Sequence, residues 1–290
     1  MSLTTRLKTG LVLTKDSILV IRNHPKLLLF PAISGVTGVA FLVLFLGITF
    51  GLLQVTPEGG VLIGLLVAYF VLTFVSTFFT AALVHQTRAV FDGKPVSIRD
   101  GVAGAWEVKG PIAVWSLIAA TVGVLINMLE NSDSSAARLL GTLFGLAWTI
   151  LTFFVVPVIV FERPTVSDMF TRSGSLFKDT WGETPISLIA INIIGFIVMV
   201  PFALIGGALL FSAATAVIVL GIAIILTGAL VSFLISQTLQ GVVKTSLYVY
   251  AVEGKTPDEF ADVEFETLPT EQDRGGSPGS AGGPRTGDVR

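Results

Sequence analysis

The chain has 290 residues, of which 52% are hydrophobic and 13% charged, with a net charge of −2. Soluble domains carry about a quarter charged residues, so a mean hydropathy of +0.84 places this chain among proteins built from several membrane spans. Without Cys, disulfides, thiolate catalysis and Cys-bound metals are excluded; residues 253–290 are strongly acidic, which argues against nucleic acid as a partner.

Residues 3–22 place Leu7, Leu11, Ile18 and Leu19 at helical spacing, with Lys8, Lys15 and Arg22 between them. That pattern predicts a helix lying in the membrane interface. Span one covers residues 27–53, 27 residues without a charge, against the roughly 20 needed to cross. Residues 54–60 hold a Pro and two Gly and form a tight link. Span two runs from Val61 to Val84, its helical pattern continuing to Val90 at the cytosolic surface. Residues 96–109 carry Ile98, Val102 and Trp106 on one face, a second short interfacial helix with Trp as anchor.

Pro111 opens span three, which ends near Leu129; a proline is tolerated in a first helical turn. Span four follows from Leu139 to Phe161. Residues 166–181 form the third short helix, with Ser167 as its expected N-cap and Met169, Phe170, Phe177 and Trp181 as apolar members. Pro185 opens span five, the link falls near residues 206–214, and span six begins about Thr215. From Ala261 the chain is acidic and from Gly275 rich in Gly, Ser and Pro, a composition expected to stay disordered. The domain reading is one membrane unit, residues 1–260, with hairpins at about 27–84, 111–161 and 185–250, and a cytosolic tail at 261–290.

Arg138 is the one Lys or Arg outside the segments flanking the cytosolic ends of the spans. By the positive-inside rule both termini are cytosolic, in a multi-pass protein of the cell membrane. Each unit then reads as interfacial helix, outward span, short loop, inward span and turn. The turn recurs as Asp92-Gly93-Lys94-Pro95, as Glu162-Arg163-Pro164 and as Glu253-Gly254-Lys255-Thr256-Pro257. An acid is followed by a base and a proline each time. The expected fold is therefore all-α: six transmembrane helices as three parallel hairpins, an internal repeat with short cytosolic interfacial helices.

The run Asn23-His24-Pro25-Lys26-Leu27-Leu28-Leu29-Phe30-Pro31 resembles a recurrent stretch of a family of uncharacterised prokaryotic six-span membrane proteins, known as a domain of unknown function. Val155-Val156-Pro157-Val158-Ile159-Val160-Phe161-Glu162 is similar to another, as is the segment from Arg172 to Glu183. The likeness covers roughly residues 5–255. It implies six spans and no activity.

Catalytic patterns are absent from the sequence: it has two His, His24 and His85, and no metal motif, phosphate loop or nucleophile–base grouping. No cofactor or metal is expected. Ionisable groups inside spans mark ion pathways, and the apolar centres carry none. The candidate intramembrane polar positions are Asn192, Gln237 and Gln240, with Lys244 and His85 near the cytosolic ends. They suit a path, or hydrogen bonds between helices.

Two readings stand. One is a non-enzymatic structural or assembly module that engages the lipid bilayer and an unidentified membrane or cytosolic protein. The other is a passive channel or facilitator with its path between the hairpins. Oligomeric state and source are not legible.

Overall fold

A computed structural model describes residues 3–52, 57–180 and 183–254. The link residues 54–56, Trp181, Lys255, Pro257 and the tail lie outside these, as do the side chains of residues 3–12. All described secondary structure is helical. The helices are α1 (Leu3–Asn23), α2 (Leu29–Leu46), α3 (Pro57–Phe91), α4 (Ile98–Glu107), α5 (Lys109–Glu130), α6 (Ser135–Thr152), α7 (Val155–Glu162), α8 (Val166–Asp179), α9 (Glu183–Leu209) and α10 (Thr215–Glu253). A 3₁₀ turn leads into α2 and π-helical turns close it. Six segments among the described residues are long and apolar enough to cross a membrane. The chain is a multi-pass membrane protein.

α2 packs on α3, α5 on α6, and α9 on α10, while α3 also touches α4, α5, α7 and α10. The tightest crossing is between α9 and α10. A Cβ on Gly206 would lie 2.6 Å from the carbonyl oxygen of Gly221, and one on Gly221 would lie 2.7 Å from that of Gly206. Small residues let backbones approach where lipid supplies no hydrophobic drive between helices. Ser232 reinforces the crossing by donating to the Gly195 carbonyl at 2.7 Å.

Span four is broken. Pro157 has no N–H for the carbonyl of Phe153, four residues back, and its ring crowds that oxygen. The helix accordingly stops at Thr152 and restarts at Val155. Ser173 of α8 accepts from the freed Phe154 N–H at 3.0 Å, in a fully buried contact. Pro201 leaves α9 continuous.

Other expectations shift at the ends. α5 begins at Lys109 and α9 at Glu183, two residues before Pro111 and Pro185, so Lys109 belongs to α5. The expected N-cap Ser167 is corrected to Thr165, whose hydroxyl accepts from the Asp168 N–H at 3.3 Å. The reason is spacing: Thr165 has an acid three residues on, as a capping box requires, and Ser167 has Phe170.

Burial divides the molecule into two layers. Val36, Val43, Leu139, Leu146, Phe196, Leu204, Val219 and Leu226 expose their side chains in the apolar layer. Leu13, Leu27, Phe30, Leu83, Val90, Phe154, Ile159, Met169, Leu176, Leu239, Val242, Val243 and Leu247 pack together in the other, near the three turns. We call this the turn layer.

Candidate functional site

The site is the place where α3, α7 and α10 end. α7 and α10 stop at an acid, Glu162 and Glu253, and α3 stops one residue before Asp92; each acid is followed by a residue in the left-handed region: Gly93 (φ 72°), Arg163 (φ 50°) and Gly254 (φ 62°). These are the only positive-φ residues described. Such a residue reverses the chain and returns N–H groups to the last helical carbonyls. At the first turn Gly93 and Lys94 donate to Val90 and Ala89, both at 2.8 Å. At the third Gly254 donates to Tyr250 at 2.9 Å.

Glu162 and Glu253 are held by neighbours from other units, and Asp92 by Arg88 of its own helix. Arg88, on α3, makes a two-pronged pair with Glu253, its second contact at 3.0 Å, and bonds Asp92 at 3.2 Å. Glu162 accepts from Arg172 of α8 at 2.9 Å and from the Tyr248 hydroxyl of α10 at 2.8 Å. Tyr248 is buried, and its ring lies 5.0 Å from that of Phe161. Arg163 reaches Glu107 of α4, in a pair that is exposed on both sides. Lys94 stays near Asp92, at 3.9 Å, and is exposed. The first and third turns thus share one arginine, and the second is tied to the third helix pair by Tyr248. Pro95 and Pro164 each stand just before a capped helix start, Ser97 or Thr165.

The candidate path residues lie in different surroundings. Asn192 is exposed on α9. His85 is half-buried against Gly104 of α4, where an added Cβ would come within 2.6 Å of the ring. Lys244 puts its ammonium 4.9 Å from the Phe153 ring centre, at the break in span four. Gln240 is half-buried. Gln237 lines a cavity of about 20 Å³ with Ser34, Ser76 and Thr80. That volume and its polar lining suit one water molecule, which needs about 10–15 Å³ and two to four partners. No cluster of three or more His, Asp or Glu with metal-binding geometry occurs among the described residues.

Sequence reasoning missed Arg88, Arg172, Tyr248 and Ser173. Arg88 had a signal, since it precedes Asp92 by one helical turn. The others are joined only by the fold.

No curated protein matches this chain, and no solved structure does. The sequence does match the family of unknown function DUF6159 over residues 59–258, more than half of its length. That stretch holds all three turn acids together with Arg88, Arg172 and Tyr248, and the chain belongs to this family.

Proposed function

We propose that the protein is a non-enzymatic membrane module in which three helical hairpins enter from the cytosolic side and close on a layer of ion pairs. The observation that carries the reading is that Arg88 holds both Asp92 and Glu253, while Arg172 and Tyr248 hold Glu162. A coupled transporter keeps ionisable groups for its cargo. Here the same groups join one unit to the next.

The contacts of Gly38 with Leu72, Gly141 with Leu129 and Gly206 with Ile225 support the three hairpins. The shared acid and left-handed residue support an internal repeat. So do the two capping boxes that follow, Ser97 with Asp100 and Thr165 with Asp168. Length supports a cytosolic turn layer. α10 has 39 residues, about 58 Å at 1.5 Å each, against about 30 Å of hydrocarbon. Lys244 and Gln240 then sit at or beyond the boundary. α4 and α8 lie along that boundary as interfacial helices, with Trp106 exposed and the Lys109 ammonium 4.1 Å from its ring centre.

The test exploits a chain without Cys. Gln237→Cys, Gln240→Cys and Lys244→Cys are probed with a membrane-impermeant thiol reagent on intact cells, with Ser132→Cys in the α5–α6 loop as the outer control. The module reading expects labelling of the control alone. Labelling of Gln237→Cys from outside moves the passive channel or facilitator ahead.

A further inference from the structure

α3 carries a strip of hydroxyls that the ion-pair layer does not use. Tyr69, Thr73, Ser76, Thr77 and Thr80 recur at intervals of three and four residues, so they share one face. The first four, with Leu72, line a groove of about 310 Å³ on the flank of the bundle. Ser76 also borders the small cavity of Ser34, Thr80 and Gln237. α2 and α5 flank the groove, Gly38 meeting Leu72 on one side and Gly123 meeting Tyr69 on the other.

Thr80 donates to the Ser76 carbonyl. Among the described residues no hydrogen bond reaches the side-chain oxygens of Tyr69, Thr73, Ser76 or Thr77. Thr77 is 6% exposed and lines the groove. The strip lies within the candidate span Gly64–Phe91, where a polar group left without a partner is costly. A ligand that presents oxygen atoms to the groove would supply partners for them.

We infer that this groove binds the polar end of an uncharged, oxygen-bearing amphiphile drawn from the bilayer, such as a diacylglycerol. Three features select that class. No charged residue lines the groove or the adjoining cavity, so a phosphate would enter without a counter-charge. The hydroxyls offer donors to ester or hydroxyl oxygens. The volume is at the lower end for a small-molecule site, enough for a glycerol backbone while the chains stay in lipid. A second copy of this chain is disfavoured, because α3 is already packed by α2 and α5 on either side of the strip.

The full chain is reconstituted in phosphatidylcholine nanodiscs with a photoactivatable diacylglycerol, or with a photoactivatable phosphatidylglycerol, and the adducts are mapped by peptide mass spectrometry. The diacylglycerol probe is expected to label residues 69–80 selectively, and the phosphatidylglycerol probe weakly. The double variant Thr73→Val with Ser76→Ala keeps the shape and removes two hydroxyls. It is expected to lower that labelling about tenfold. Thr142→Val on the exposed face of α6 serves as control and is expected to change nothing. Equal labelling by both probes, or adducts spread evenly over α6 and α9, overturns the inference in favour of ordinary surrounding lipid. Oxidative cross-linking of Thr73→Cys between copies overturns it in favour of a self-association face.

Discussion

Two stretches of α10, one continuous helix, have opposite surroundings. Between Val219 and Phe233 most of the large side chains are exposed, and Gly221 and Gly228 supply the buried contacts. Between Thr238 and Ala251 most of the residues are buried, including Thr238, Thr245, Ser246 and Tyr248. α3 divides the same way, exposed at Leu65 and Val67 and mostly buried between Thr77 and Thr87. The apolar layer meets lipid, so its helices touch through glycine. The turn layer meets protein, so it buries hydroxyls, amides and ion pairs whose geometry specifies one arrangement. A chain selected only to span a membrane has no need of the second layer.

The sharpest way to break that contrast is to remove the charge that joins the first and third turns. Arg88→Met leaves Asp92 and Glu253 without their shared cation in a site only 28–29% exposed at the Arg88–Glu253 pair. Removing one partner of a buried pair costs about 3–5 kcal/mol, and partial exposure lowers this to about 2–3 kcal/mol. Titration with SDS in mixed micelles, followed by circular dichroism, measures the loss. Glu253→Gln is expected to lose less, because Asp92 still engages Arg88.

The matching perturbation in the apolar layer is Gly206→Ala. The new methyl meets the Gly221 backbone, which has no rotamer with which to yield. Overpacking of this kind costs about 1–3 kcal/mol, and the same titration is expected to show about 2 kcal/mol. Gly47→Ala is the control, since nothing lies within 4 Å of a Cβ there. It is expected to be neutral or slightly stabilising.

The six apolar segments were legible because runs of twenty or more uncharged residues admit few alternatives in water. Their partners were not. Gly47 and Gly141 are alike in sequence, each with a glycine four residues on, yet Gly47 faces open space and Gly141 presses on Leu129. Gly206 and Gly221, which make the tightest crossing, have no i,i+4 partner to flag them. The turns were legible as acid, base and proline. Their shared physical feature is instead the left-handed residue after each acid, which Arg163 hides because it is not glycine. The break at Pro157 is completed by Ser173, which lies 19 residues beyond its partner Phe154 in sequence.

That break gives the next prediction. Ser173→Ala removes the acceptor for the buried Phe154 N–H. An unsatisfied buried donor costs about 1–3 kcal/mol, and the expected loss is about 1–2 kcal/mol. Hydrogen exchange read by mass spectrometry should rise at residues 153–158 and stay unchanged in the apolar layer. Protection at 153–158 equal to wild type would mean that α6 and α7 hold their break without α8.

The smallest effects separate the turns from one another. Gly93→Ala forces a Cβ into the left-handed region and is expected to cost about 1 kcal/mol. Arg163 already bears that strain at φ 50°, so Arg163→Gly relieves about 1 kcal/mol. The gain is reduced by loss of the exposed pair with Glu107, worth less than about 1 kcal/mol. The net expectation is a gain of about 0.5 kcal/mol or less. In a Glu107→Gln background the pair is already gone, and the gain from Arg163→Gly should rise toward the full relief of strain. If Arg163→Gly destabilises equally in both backgrounds, the left-handed arginine is held by contacts other than Glu107, and the second turn is not a variant of the first. A larger gain in the Glu107→Gln background means that the second turn trades backbone ease for a charge that ties it to α4, while the first and third use glycine and leave the joining to Arg88.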